Sequence, residues 1–193
     1  MTTKKAQAKA SDYSDNPFLP AQPFPHERSR RERMIRVNLA GEEGAIALYT
    51  GQLKALKDHE RCSLIEEMEE HEQEHVALFQ RETVKFNVRP SALRGLWHCL
   101  GVGAGYAAGR LGFDFAMAQT EAVETVIADH YAAQLKVLPK DDPLCGVVEA
   151  CLADELAHRD HGHQESRPGL DMDAWKALTR LGTRLAIAVA KRL

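Results

Sequence analysis

Two Glu-x-x-His pairs, each preceded by a further glutamate about thirty residues upstream, most constrain how this chain can fold. Each pair places a carboxylate and an imidazole on one face of a helix, since residues three apart in a helix are neighbours. The residues around them at helical spacing are largely apolar, so these polar side chains face a core. Buried charged groups are costly unless they are compensated, and a metal is the obvious compensation. The candidate ligands are Glu42, Glu72, His75, Glu124, Glu155 and His158.

The same periodicity divides the chain into helices, and no segment alternates as a strand would. We predict an all-α, ferritin-like four-helix bundle with one long apolar crossover, Leu93–Gly109, and an additional C-terminal amphipathic helix. Asp171 is the predicted N-cap of that last helix. The predicted helices are Glu27–Asp58, Glu60–Phe86, Phe113–Leu138, Leu144–His161 and a last helix from Asp171 to Leu193.

Glycines mark two places where helices should pack closely. Gly101, Gly105 and Gly109 in the crossover are spaced by four, which leaves a smooth helical face. Gly41 and Gly44 each weaken the first helix by up to about 1 kcal/mol, so we expect them to admit the close approach of a neighbour.

The composition is that of an ordinary soluble protein with one domain. The 193 residues are 44% hydrophobic and 27% charged, and the net charge of −3 gives no reason to expect nucleic acid as a partner. Residues 1–26 contain four of the eight prolines and predict a flexible arm, followed by the domain at 27–193. Only 15 residues separate Arg94 from Arg110, fewer than the about 20 that a membrane-spanning helix needs. The four cysteines include no Cys-x-x-Cys pair, which predicts reduced thiols.

Charge balance favours two divalent metal ions in the predicted site. Four ionised carboxylates carry four negative charges, two divalent ions neutralise them, and the two imidazoles stay neutral. Carboxylate and imidazole ligands suit iron or manganese, and we expect no cysteine among them, which argues against thiolate-bound zinc. Glu72 and Glu155 are expected to be bidentate or bridging, while Glu42 and Glu124 each terminate one metal. Asp154 either orients an imidazole or is simply solvated on the helix surface.

A different metal site is formally encoded by residues 71–75, which match the H-E-x-x-H pattern of zinc proteases. That interpretation would leave the four other candidate ligands facing the core with nothing to bind. It also places Glu70 and Glu74 where metalloproteases are generally apolar. The zinc hydrolase is therefore a remote alternative, and we expect His71 and the remaining glutamates of this stretch to lie on a solvated face.

Several segments resemble the demethoxyubiquinone hydroxylases, the di-iron monooxygenases of ubiquinone biosynthesis. The resemblance covers about Glu32 to Leu193 and joins all the candidate ligands with their surroundings, while the Pro-rich arm lies outside it. The family does not require histidine at position 71. The matching segments are Met34–Glu42, Gly44-Ala45, Tyr49–Gln52, Val88–Pro90, Leu96-Trp97, Ala122–Glu124, His130-Tyr131 and Asp154–His158.

The resemblance implies a di-iron, O2-dependent monooxygenase that hydroxylates the ring of a polyprenyl methoxy-methyl-benzoquinone. It implies two iron ions per chain, O2 as co-substrate, and NADH or the quinol itself as reductant. Beyond the metal ligands it implies no catalytic residue, although Tyr131 is expected either to contact the quinone or to be an ordinary core residue. Two other interpretations stay open: another ferritin-like di-iron oxidase, peroxidase or iron store, and a structural bundle without metal.

The resemblance also implies a membrane surface as partner, because the polyprenyl tail resides in a membrane. The last helix is amphipathic and basic, with Trp175 on its apolar face and Lys176 opposite, so it either packs on the bundle or lies on that surface. Accessory proteins of ubiquinone biosynthesis are further expected partners. The expected location is the cytoplasmic face of a bacterial inner membrane, or the matrix side of the mitochondrial inner membrane in a eukaryote.

Overall fold

The computed structural model describes residues 25–192, with side chains from residue 29 onward, and over that range it contains six helices and no strand. The all-α prediction is confirmed. Within the same range, none of the helices has both the length and the hydrophobicity needed to cross a bilayer. The helices are α1 (Pro25–Leu56), α2 (Cys62–Lys85), α3 (Arg94–Leu111), α4 (Phe113–Leu135), α5 (Leu144–Glu165) and α6 (Leu170–Ala190).

The first helix begins earlier than predicted, at Pro25, which the sequence had assigned to the arm. Proline suits the first position of a helix, because the N–H that it lacks would have no partner within the helix. The rest of the predicted flexible arm, residues 1–24, lies outside the described residues.

The four helices that carry the candidate ligands pack around one another. α1 packs on α2, α4 on α5, and α2 on α5, so the inward faces of all four meet in one core. Large side chains fill that core at near-zero exposure, among them Tyr49, Met68, Phe79 and Tyr131. The polar candidate ligands therefore lie inside an otherwise apolar interior.

Helix α3 lies directly on α1 through its glycines, as their spacing predicted. A Cβ atom built on Gly105 would lie 1.9 Å from the carbonyl oxygen of Leu48, and one built on Gly101 would lie 2.8 Å from the Cβ of Ala47. Such distances exclude any side chain at these positions without a shift of backbone. The crossover is thus fixed against the helix that carries Glu42.

The prediction for the two glycines near Glu42 was wrong. A Cβ on Gly44 would meet nothing within 4 Å, and one on Gly41 would touch only Ile127, at an ordinary 3.9 Å. The close approach on α1 occurs instead at Gly51, where a Cβ would lie 2.2 Å from the carbonyl oxygen of Val102. Gly44 faces open space, and both glycines line a cavity described below.

The start of α6 also differs from the prediction. The helix begins at Leu170, and Gly169, with a φ of 152°, occupies the position before it. Asp171 is therefore inside the first turn and does not cap the helix. Its carboxylate accepts a 3.1 Å hydrogen bond from Nη1 of Arg167, and a negative charge in a first turn is favourable to the helix dipole.

The amphipathic face of α6 is largely uncovered. Of its residues, Met172 and Ala190 are buried, while Leu178 and Leu185 are 62% and 58% exposed. On the opposite side Lys176 contacts the carboxylate of Glu121 on α4, with 2.5 Å between the charged atoms. The helix is thus held to the bundle both by Lys176 and by buried apolar residues such as Met172, while its leucines face outward.

Candidate metal centre

All six candidate ligands point into the core between α1, α2, α4 and α5. None is more than 2% exposed. One glutamate comes from α1 and one from α4, whereas α2 and α5 each supply a Glu-x-x-His pair on successive turns of one face. The spacing seen in the sequence therefore becomes a single cluster, made from both halves of the chain.

The cluster consists of two overlapping groups, in each of which the candidate ligand atoms lie within 4.8 Å of one another. Glu72 and Glu155 belong to both groups. Such sharing is the arrangement in which a carboxylate can bridge two metal ions. The first group is Glu42, Glu72, His75 and Glu155, and the second is Glu72, Glu124, Glu155 and His158.

The donor atoms at the centre of this cluster lack hydrogen-bond partners. Both carboxylate oxygens of Glu72 and of Glu155 are buried and unpaired within the described part of the chain, as is Nδ1 of each histidine. Nδ1 of His158 lies 3.1 Å from Oε1 of Glu72, and Nδ1 of His75 lies 3.4 Å from Oε2 of the same residue. Buried polar atoms without partners are strongly unfavourable. A carboxylate and imidazole set of this kind fits two divalent ions such as iron or manganese.

The pKa values of the carboxylates also indicate that the site fits a cation. Burial raises the pKa of Glu72 and of Glu155 well above the ordinary value of 4.5, and the neighbouring glutamates raise it further. Burial also raises the pKa of Glu124 to about 7. Burial acts in the same direction on Glu42, but polar contacts with His75 and Glu72 and the charge of His75 outweigh it and lower its pKa. Without a cation, the four carboxylates cannot all remain ionised.

The two histidines differ in charge when no cation is present. Burial opposes the charge on His75, but the close carboxylates of Glu155, Glu42 and Glu72 favour it and raise its pKa. Burial lowers the pKa of His158 to about 4, with a contribution from the charges of His71 and His75. His75 therefore balances part of the negative charge, and a bound metal would replace that proton.

Two tyrosines support the outer carboxylates. Tyr49 on α1 donates a 2.7 Å hydrogen bond from its hydroxyl to Oε1 of Glu124 on α4. Tyr131 on α4 donates to Oε1 of Glu42 on α1. No role for Tyr49 was predicted from the sequence, although Tyr49 follows Glu42 by the same seven residues that separate Tyr131 from Glu124. Tyr131 is 1% exposed, and its contact with the substrate stays a prediction.

Each imidazole also has a partner at its outer nitrogen, Nε2. Nε2 of His75 lies 3.0 Å from Oδ2 of Asp154, which favours the first of the two roles considered for that residue, orienting an imidazole. Nε2 of His158 lies 3.1 Å from Nδ1 of His71, and the two rings stack with centroids 5.3 Å apart. The prediction that His71 is solvated was wrong: it is half-buried. It belongs to neither group of candidate ligands.

A buried thiol lies beside the cluster, although no cysteine was expected among the metal ligands. Cys151 is one turn before Glu155 on α5 and has no exposed surface. Its Sγ forms a third group with ligand atoms of Glu42 and His75, all within 4.8 Å of one another. Burial raises its pKa to about 12. All four cysteines of the chain are free.

A largely apolar cavity of about 590 Å³ lies between α1, α3, α4 and α6. Gly41 and Val123 in its wall immediately precede Glu42 and Glu124. The cavity therefore borders the two helices that supply the outer carboxylates. Other residues of its wall are Gly44, Trp97, Leu100, Ile127, Trp175 and Leu178.

Comparison with known proteins places these features in a family. The model of the family described as "Ubiquinone biosynthesis protein COQ7" matches residues 29–190. The chain is 38% identical over 167 residues to a Dictyostelium discoideum protein named NADPH-dependent 3-demethoxyubiquinone 3-hydroxylase, mitochondrial, a match covering 84% of this chain and 77% of that protein. It is 36% identical over 179 residues to the human protein of the same name, covering 86% and 79%. It is 33% identical over 178 residues to the 3-demethoxyubiquinol 3-hydroxylase of Rhodospirillum rubrum, covering 91% and 83%.

Proposed function

Because the chain belongs to the COQ7 family of ubiquinone biosynthesis proteins, we propose that it hydroxylates the ring of a polyprenyl methoxy-methyl-benzoquinone, a demethoxyubiquinone. The reaction is an O2-dependent monooxygenation that also requires a reductant. The names of the Dictyostelium and human relatives specify NADPH, so we include a reduced nicotinamide, with the quinol as the alternative electron source.

Two iron ions are the proposed cofactors, held by the six buried ligands. Glu42 and His75 would bind one ion, Glu124 and His158 the other, and the shared carboxylates of Glu72 and Glu155 would bridge them. Iron in such a site supplies the O2 chemistry that ring hydroxylation needs. The chain's own contribution is to hold the ligands rigidly, through the tyrosine and outer-nitrogen contacts, in an interior that excludes water.

The apolar cavity is the proposed binding site of the quinone. Its volume falls in the usual range for small-molecule sites, and its walls are apolar. The absence of side chains at Gly41 and Gly44 keeps space open along α1, next to Glu42. A quinone ring at this wall would approach the outer carboxylates, while an isoprenoid tail would extend between α3 and α6.

The same two helices form the proposed membrane-facing surface. Leu96 and Leu100 on α3 and Leu178, Leu181 and Leu185 on α6 are each about half exposed or more. Amphipathic helices of this kind bind at membrane interfaces by burying their apolar face among lipids. A quinone tail could then pass from the bilayer into the cavity without crossing water. Such a surface suits a peripheral protein of the membrane that holds the quinone pool, where accessory proteins of the pathway would also meet it.

The observation that carries this proposal is the pair of buried ligand groups that share Glu72 and Glu155. The test is quinone profiling by mass spectrometry in a strain that lacks the gene. We expect the demethoxy quinone to accumulate, and we expect the native gene to restore ubiquinone whereas Glu155→Ala does not. Glu149→Ala, on the exposed side of the same helix, is the matched control and should restore it. Normal ubiquinone without the gene would exclude the hydroxylase and favour an iron store or a structural bundle.

A further inference from the structure

Cys151 gives one corner of the metal centre a donor set that differs from the rest. Cys151, Glu155 and His158 follow one another on the inward face of α5 at intervals of four and three residues. Cys151 has no exposed surface, and its Sγ lies within 4.8 Å of ligand atoms of Glu42 and of His75. The corner therefore offers a carboxylate, an imidazole and a thiol at similar distances.

A second observation indicates that this corner binds a cation. His75 is 2% exposed, and its Nδ1 has no hydrogen-bond partner among the described residues. This atom lies 3.8 Å from Oε2 of Glu42 and 3.5 Å from Oε1 of Glu155, an oxygen that is itself unpaired. A buried imidazole nitrogen that lacks a partner and lies among carboxylates is a candidate metal ligand.

We propose that Glu42, His75 and Cys151 form a zinc-binding site that competes with iron for one position of the centre. The inference rests on the metal centre of the proposed function. Thiolate ligands favour zinc, and zinc binds nitrogen, oxygen and sulfur sites more tightly than ferrous iron does. Tetrahedral zinc holds sulfur and nitrogen ligands about 3.5 Å apart. The three residues would need to move by about an ångström to reach that geometry, starting from separations of up to 4.8 Å.

Charge balance supports the same assignment. One zinc ion, one carboxylate, one thiolate and a neutral imidazole sum to zero, so the buried corner is neutral with zinc bound. The thiol proton and the proton of His75 would leave to solvent on binding. Zinc has no redox chemistry, so an ion bound in this way would block hydroxylation.

The test is cobalt binding to the full-length protein after its metal has been removed with a chelator. Co2+ takes zinc-like geometry and shows a sulfur-to-cobalt charge-transfer band when a thiolate binds it. We expect the wild-type protein to show that band and zinc to abolish it. Cys151→Ala should bind cobalt without the band, bind zinc at least about tenfold more weakly, and still load iron through the six carboxylate and imidazole ligands.

Two further variants make the result specific. Cys145→Ala is the matched control, because Cys145 lies on the same helix but its Sγ donates to the carbonyl of Pro139; its band should equal that of the wild type. Cys151→Ser preserves the buried volume, should also lack the band, and replaces the alanine variant if that fails to fold. Cobalt bound to the wild type without the band, or a band that persists in Cys151→Ser, would overturn the zinc site and leave the hydroxylase proposal standing. A wild-type protein that binds neither cobalt nor iron would overturn both.

Discussion

The hydroxyl of Tyr49 donates a 2.7 Å hydrogen bond to Oε1 of Glu124, so a residue of the first half of the chain orients a carboxylate of the second. Tyr131 reverses the relationship by donating to Glu42. In each half the tyrosine follows the glutamate by seven residues, two turns along the same helix face. The outer carboxylate of each half is thus held in place by the other half, and the two are coupled through the centre.

Replacing Tyr49 by phenylalanine tests this coupling. The ring would still fill the core, but Glu124 would lose the donor to Oε1, and its Oε2 already lacks one. We expect iron affinity to fall by about 10- to 100-fold, as for other losses of a group that orients a metal ligand. The measurement is iron content against free iron concentration, with circular dichroism to verify the fold. Tyr106→Phe, at a tyrosine that is 46% exposed, is the control and should change neither iron affinity nor the circular dichroism spectrum. Equal iron affinity in the two variants would argue against the coupling.

The shared glutamates should differ from the outer ones in stoichiometry. Glu72 and Glu155 belong to both ligand groups, whereas Glu124 belongs to one. We therefore expect close to two iron ions per chain in the wild type, a loss of both in Glu72→Ala or Glu155→Ala, and retention of about one in Glu124→Ala. Iron and protein are quantified on the same purified sample. Full iron in either Glu72→Ala or Glu155→Ala would mean that the ligands have been wrongly assigned.

The pKa of Glu124 predicts how the stability of the metal-free protein depends on pH. Burial raises this pKa from 4.5 to about 7, so the folded chain holds a proton that the unfolded chain releases between these two values. The carboxyl group therefore destabilises the fold increasingly as pH rises through this window, by about 3 kcal/mol at its upper end. Glu124→Gln removes the titration and still accepts from Tyr49.

We therefore expect metal-free Glu124→Gln to be more stable than the metal-free wild type by up to about 3 kcal/mol above pH 7, with the difference vanishing towards pH 4.5. Chemical unfolding at a series of pH values measures it. With iron bound, the wild type should be the more stable of the two proteins, because its Glu124 carboxylate then binds a cation. A stability difference that does not change with pH would show that Glu124 does not titrate as the structure indicates.

That the six candidate ligands face one core could be predicted, because each requirement for it is local. A helix with period 3.6 places Glu72 and His75 on one face, and the apolar residues around them show that the face is buried. The same arrangement recurs at Glu155 and His158, which argues against a chance pair and favours the proposed metal centre. Helix type and approximate bounds follow from the same pattern, which is why the all-α fold was correctly predicted.

The features that the sequence did not reveal depend on contacts between helices, which periodicity does not contain. His71 is on the flank of α2, and its burial results from how closely α5 approaches. Cys151 is one turn before Glu155 on the inward face of α5, but its distance from His75 depends on the packing of α5 against α1 and α2. The exposed leucines of α6 form a regular apolar face, and the sequence does not reveal that Glu121 holds the helix by its basic side.

His71 provides a direct test between two metal chemistries. It contacts the outer nitrogen of His158 at 3.1 Å and lies outside both ligand groups. We expect His71→Ala to retain close to two iron ions per chain with affinity reduced by about tenfold, whereas His75→Ala loses iron from one position. A zinc protease site would instead require both histidines equally. Metal analysis of the two variants, side by side, distinguishes the two sites.

The glycines of α3 predict opposite effects of one substitution at two neighbouring positions. A Cβ at Gly105 would lie 1.9 Å from the carbonyl oxygen of Leu48, while one at Gly103 would meet nothing within 4 Å. Gly105→Ala should therefore force α3 away from α1 and destabilise the protein by about 3 kcal/mol. Gly103→Ala adds a better helix former at an exposed position and should stabilise it by up to about 1 kcal/mol. Because Leu48 precedes Tyr49, displacement of α1 at Gly105→Ala should also lower iron affinity. Urea unfolding of the two variants measures the change in the free energy of unfolding for each. Equal changes in the two variants would contradict the close packing of α3 on α1.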